Sequence, residues 1–221
     1  MKKVLVISPH PDDETLGCGG TLFRHKHDGD EIYWGIITKV SVGKNWSEKF
    51  VNNRIFEIAS VQKKYGFSEI FDFGLPSIKI DTLPFSDIVE KITDIYKKIE
   101  PEIIYMPFAY DVHTDHQIIA KAMQATFKWF RYPHIQKVLM YETLSETEFN
   151  FIEKRTFSPN VFVNISDYLD EKIDTMQIYE SEIAEFPFPR SVVTIQSLAA
   201  LRGSQSGYEA AEAFELVYER K

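Results

Sequence analysis

A chain of 221 residues with 44% apolar and 26% charged residues has the make-up of a folded protein, which excludes disordered, collagen-like and fibrous classes. Its formal charge of −8, from 25 Lys and Arg against 33 Asp and Glu with no basic run, argues against nucleic acid or an anionic membrane as partner. The single cysteine, Cys18, rules out a disulfide framework and any zinc site built from several thiolates.

The apolar run Val4-Leu5-Val6-Ile7 stops at Pro9 and is too short for an export signal. No later stretch approaches the roughly 18 apolar residues of a membrane span, so a soluble cytoplasmic protein is expected. Strands are predicted over 4–8, 32–38, 69–73, 103–107, 137–142 and 161–165. Helices are predicted over 15–28, 47–65, 84–99, 115–130, 168–182, 193–202 and 208–219, with Gly29 and Gly66 placed as C-caps and Pro101 after the third. Apolar strands separated by helix-length segments specify an α/β fold, a mostly parallel sheet with helices on both faces. No repeat, low-complexity tract or linker divides residues 1–221, so one domain is expected. Ligands of such sheets bind beyond the carboxyl ends of the strands, and the two least ordinary stretches fall there.

Pro9-His10-Pro11-Asp12-Asp13-Glu14 follows the first strand. Acids at a helix N-terminus cap free N–H groups and suit the dipole, but that explains one or two of the three, not a histidine between prolines. His10 and Asp13, three apart, can grip one ion from a single turn, and zinc accepts such nitrogen and oxygen ligands. Asp12 is left beside the metal, free to handle a proton. The following Gly17-Cys18-Gly19-Gly20 lacks the third glycine of a dinucleotide fingerprint, whose place is Leu22, and the second strand ends in Ile37-Thr38-Lys39 without an acid. These small residues instead let a helix approach the sheet, with Cys18 as buried filler.

After the strand at 103–107 comes Asp111-Val112-His113-Thr114-Asp115-His116. A catalytic zinc takes three protein ligands and keeps one position open. Either His113 or His116 therefore completes a set with His10 and Asp13, and the other is free to act on substrate. Asp115 can fix a histidine tautomer from behind, or simply cap the next helix.

On these residues the chain resembles the LmbE-like, or PIG-L, family of zinc-dependent de-N-acetylases. Weaker echoes are Arg54-x-x-Glu57 and Ala211-Glu212-Ala213-Phe214, so the likeness runs from residue 4 to about residue 218. It implies a Rossmann-like fold and an amidohydrolase that cleaves the N-acetyl group of a small-molecule sugar substrate. That sugar is often N-acetylglucosamine in a glycoconjugate or sugar nucleotide, and the products are acetate and a free amine. It further implies His10, Asp13 and His116 as ligands of one Zn2+ per chain and Asp12 as general base. A protonated His113 would face the reacting carbonyl, with Asp115 as its support.

Arg54 is expected to hold a sugar hydroxyl or phosphate, or else to pair with Glu57 or Glu69. Arg190 and Arg202 are expected to reach substrate, and Trp46 to stack on a sugar face. Some members carry a tyrosine where this chain has Asp111, and Glu182 stands where relatives often have glutamine. One rival is a sugar- or nucleotide-binding module without catalysis, against which the intact set His10, Asp12, Asp13, His113 and His116 speaks. Another is a zinc hydrolase of a different bond such as a phosphoester, which usually needs two metals. Homo-oligomerisation is left open.

Overall fold

β1 (Lys3–Ser8) leads through α1 (Asp13–His27) to β2 (Glu31–Lys39), α2 (Glu48–Tyr65) and β3 (Glu69–Pro76). α3 (Phe85–Ile99), β4 (Ile103–Pro107), α4 (Thr114–Gln124) and β5 (Lys137–Tyr141) continue the alternation. β6 (Val161–Asn164), α5 (Leu169–Met176), α6 (Val192–Ser206) and β7 (Ala211–Glu219) follow. The structure, a computed structural model, describes residues 1–152 and 155–221. Helix ends have local causes. Ser47 and Ser191 each accept an N–H of the first turn of α2 and α6 at 3.2 Å, and α2 stops at Gly66, whose φ of 75° suits a residue without a Cβ.

The strands form one seven-stranded sheet in the order β3-β2-β1-β4-β5-β7-β6. β3, β2, β1, β4 and β5 run parallel, whereas β7 is antiparallel to both β5 and β6. β1 feeds the helical connection towards β2 on one side, and β4 lies on its other side. The strand order therefore reverses between β1 and β4, and a crevice opens at their carboxyl ends. Both unusual loops of the sequence leave from those two ends.

Alternation along β1 explains the two layers of helices. Val4 and Val6 join one apolar cluster with Trp34, Tyr65, Tyr141 and Phe214, while Leu5 and Ile7 join another with Ile95, Ile104 and Met123. These four residues of β1 are fully buried, each contributing about 1.5–3 kcal/mol of burial free energy. Among the described residues no helix is long and apolar enough to cross a membrane.

Three expected elements differ. The segment 208–219 is not a helix: its Ala- and Glu-rich composition favours one by at most a few tenths of a kcal/mol per residue. As β7 it hydrogen-bonds strands on both sides, with Tyr141 and Val161 flanking Phe214. The helix expected over 115–130 stops at Gln124. The one expected over 168–182 stops at Met176, leaving Tyr179, Ser181 and Glu182 in irregular chain that reaches the crevice.

Candidate metal centre and active site

The turn after β1 is clamped from two elements. Thr38, near the end of β2, donates its N–H (3.0 Å) and hydroxyl (2.8 Å) to the Pro9 carbonyl, and Arg54 of α2 donates Nη1 to the Pro11 carbonyl (3.1 Å). Asp12, the N-cap of α1, has a φ of 128°, a conformation that costs an L-residue about 1–3 kcal/mol. Buried Glu14 holds it there by accepting the Asp12 N–H (3.1 Å), and Glu14 is itself fixed by the hydroxyls of Thr15 (2.7 Å) and Tyr179 (2.8 Å). Burial, with the negative charge of Asp13 and Glu182 added, pushes the Asp12 carboxyl well above the ordinary carboxylate range. Its Oδ2 meets Arg190 Nη1 at 3.3 Å.

Asp13 is the hub. Its Oδ2 accepts the His10 N–H (2.7 Å) and lies 3.4 Å from His10 Nδ1 and 3.3 Å from His116 Nε2. Burial alone would raise its pKa, but the neighbouring His116 and His10 outweigh that and hold it far below the usual value.

The loop after β4 supplies the rest. His113 is the N-cap of α4, and its Nδ1 accepts the Asp115 N–H at 3.1 Å. A nitrogen that accepts carries no proton, so His113 is neutral and its proton sits on Nε2. Burial keeps its pKa down at about 4. A protonated His113 was expected; with Nδ1 accepting the Asp115 N–H, the ring is arranged as a neutral Nε2–H donor. The placement of Asp115 behind His113 is corrected: Asp115 Oδ2 accepts from His10 Nε2 (3.1 Å) and from the Ile78 N–H (2.9 Å), while His113 Nδ1 is 4.0 Å away. His116, fully buried, donates Nδ1–H to Asp111 Oδ2 (2.8 Å), and Thr147 Oγ1 donates to Asp111 Oδ1 (2.6 Å).

Each of two histidines is thus backed by a carboxylate on one ring nitrogen, His10 by Asp115 and His116 by Asp111, as ligand histidines are. The opposite nitrogens lie beside Asp13. His116 Nε2 is buried and, among the described residues, has no hydrogen-bond partner: it is close to Asp13 Oδ2 but not aligned with it. Donor atoms of His10, Asp13 and His116 all lie within 4.8 Å of one another. Two imidazole nitrogens, one of them buried and unspent, and one carboxylate fit a zinc ion with a fourth position open. His10, His113 and Asp115 are as closely spaced. There, however, His113 Nδ1 is spent on the helix cap and Asp115 Oδ2 on two donors.

A cavity of about 400 Å³ opens beside this cluster and brings His10, Asp12, Asp13, His113, Arg54 and Arg190 into one lining. Half-buried Trp46 lines it too, with Ile36, Phe50, Val51 and Ile55 forming an apolar wall. Arg54 is buried and fully engaged, with Glu57 (3.4 Å), Ser181 (3.2 Å), the Pro11 carbonyl and Glu182 as partners. Arg202 does not come to the cavity. It makes a bidentate pair with Glu142 (2.7 and 2.6 Å) under α6, a reach the sequence position alone could not disclose. Sequence reasoning missed Asp111 as the carboxylate behind His116, although its spacing of five from that histidine was a signal, and missed Glu14 as the brace of Asp12.

The family model described as PIG-L, GlcNAc-PI de-N-acetylase, matches residues 5–127. The chain is 27% identical over 231 residues to a diacetylchitobiose deacetylase of Thermococcus kodakarensis, covering 98% of this chain and 84% of that protein. It is 25% identical over 191 residues to a probable N-acetyl-alpha-D-glucosaminyl L-malate deacetylase 2 of Bacillus cereus, covering 82% of this chain and 84% of the relative. Among solved structures, the conserved protein TT1542 from Thermus thermophilus superposes with a TM-score of 0.78 at 23% identity, covering 100% of this chain and 97% of the other, a likeness of fold.

Proposed function

Since the chain belongs to the PIG-L, or GlcNAc-PI de-N-acetylase, family, we propose that it is a zinc-dependent hydrolase that removes the N-acetyl group from an N-acetylated sugar. The observation that carries this reading is the meeting of His10, Asp13 and the unspent His116 Nε2 beside buried Asp12, at one end of the cavity. His10, Asp13 and His116 would hold one zinc ion per chain, which would supply Lewis-acid polarisation of the amide carbonyl and a usable water nucleophile near neutral pH.

The chain's own groups do the remainder in this reading. Asp12, bound to no ligand nitrogen, takes the proton of the attacking water and later hands it to the departing amine. Arg190 keeps the Asp12 carboxylate oriented at 3.3 Å. His113, neutral, donates Nε2–H to the oxyanion, a contribution of about 3 kcal/mol. Asp115 and Asp111 act as positioning residues through His10 and His116. Arg54 serves first as the clamp of the Pro11 carbonyl, and Trp46 offers a ring to one sugar face. Residues 1–221 work as one domain acting on a small molecule, free of nucleic acid.

The test is quantitation of acetate and free amine released from a panel of N-acetylated mono- and disaccharides by zinc-loaded protein. Equal amounts of both products are expected. Turnover of a phosphoester assayed beside this panel, without acetate from any of the sugars, would point to the rival hydrolase.

A further inference from the structure

Taking the deacetylase reading as its basis, we infer that Glu182 sets the pocket's substrate class by pairing with its two arginines, so that the group attached to the N-acetylated sugar is uncharged. Glu182 bridges both guanidiniums: Oε1 pairs with Arg54 Nη2, and Oε2 with Arg190 Nη2 at 3.1 Å. Arg54 is fully paired, and among the described residues Arg190 keeps only its Nε–H without a partner. Arg54 also meets Glu57 at 3.4 Å, and Arg190 also meets Asp12 at 3.3 Å. The third cation of the lining, Lys39, sits half-exposed and 3.8 Å from Asp72. Among the described residues, the Glu146 carboxyl of the same lining has neither a hydrogen-bonding nor an ion-pair partner, so what the lining leaves unpaired there is an acid.

An anionic aglycone, such as a malate carboxylate or a nucleotide pyrophosphate, would meet a lining where the carboxyl groups of Asp12, Asp13, Asp72, Glu146 and Glu182 outnumber the cations Lys39, Arg54 and Arg190, and to win Arg54 it would have to break a buried pair. The lone carboxylate left behind would be costly. An uncharged aglycone needs none of this and can lie on the wall of Ile36, Trp46, Phe50 and Val51. The ligand class is therefore an N-acetylated amino sugar joined to a neutral group with an apolar face, either a second sugar ring or an aryl group.

The experiment compares kcat/KM for acetate release at pH 8 from two neutral probes, N,N'-diacetylchitobiose and 4-nitrophenyl N-acetyl-glucosaminide, and two anionic probes, N-acetylglucosaminyl malate and UDP-N-acetylglucosamine. Zinc-loaded wild-type protein is expected to favour the neutral pair by tenfold or more, and the better of the two tells a sugar from an aryl aglycone. Glu182→Gln keeps the shape but frees the guanidiniums, and should narrow the neutral-to-anionic ratio by at least tenfold. Wild-type protein that uses the anionic probes as well as the neutral ones would overturn this inference and leave the deacetylase reading standing. An unchanged ratio in a folded, zinc-bound Glu182→Gln would overturn the role of Glu182. Absence of acetate from every probe would instead overturn the deacetylase reading itself. Should the variant not fold, the wild-type ratio decides alone.

Discussion

Neighbouring residues in this site do different work because the backbone sends them to different places. Asp12 and Asp13 carry the same side chain, yet one sits at a φ of 128° facing Arg190 and the other starts a helix among histidines. His113 and His116 are three apart, but one spends Nδ1 on its own helix cap and the other gives Nδ1–H to a buried carboxylate. The neutral state of His113 has a consequence that separates it from a protonated one. An amide can imitate a neutral N–H donor, so His113→Gln should keep appreciable activity, whereas His113→Ala should lose about 10²- to 10³-fold in kcat, the usual effect of removing one oxyanion donor. Both should keep their zinc. Steady-state kinetics on zinc-matched preparations checks this, and equal losses in the two variants would show that charge, rather than an N–H, was needed.

At the scale of elements, the site depends on how closely α1 lies on the sheet. A Cβ at Gly17 would stand 2.2 Å from the Tyr141 ring, so no larger residue fits that approach. One residue further, Cys18 leaves helical geometry (φ −146°, ψ 23°), and the N–H groups of Gly20 and Thr21 are taken up by Glu212 of β7 at 2.9 and 2.7 Å. Glu212 also pairs with buried Lys172 of α5 at 2.7 Å. One carboxylate thus mends the helix, neutralises a buried ammonium and joins three elements. Removing its charge strands Lys172, so Glu212→Gln should lower unfolding free energy by about 3–5 kcal/mol, the range for breaking a buried ion pair. Urea unfolding measures it, and a loss below about 1 kcal/mol would show the pair to be incidental.

Across the whole molecule, what was legible in the sequence was what local pattern decides. The parallel strands β1 to β5 are apolar runs between capped helices, and the loops at His10 and His113 stand out because their acids and histidines have no packing reason to be there. What was not legible depends on partners far along the chain. β7 reads as a helix until β5 and β6 are beside it, with Phe214 packed against Tyr105 at 5.1 Å between ring centres. Arg202 and Arg190 look alike in sequence, and only the fold sends one to Glu142 and the other to Asp12. Asp111 gains its role when α4 brings His116 back against it. The three residues proposed as metal ligands span the molecule's switch point, His10 from the loop after β1, Asp13 from the start of α1 and His116 from the first turn of α4 after β4.

The division of labour between Asp12 and Asp13 is where the proposed chemistry stands or falls, and one paired measurement reaches it: zinc content and acetate release determined on the same preparations of Asp12→Asn and Asp13→Asn. Asp12→Asn should hold zinc as the wild type does and turn over about 10²- to 10⁴-fold more slowly, the scale of a lost general base. Asp13→Asn should bind zinc poorly, because a neutral amide is a much weaker ligand than a carboxylate. A metal-free Asp12→Asn beside an Asp13→Asn that keeps both zinc and turnover would contradict the assignment.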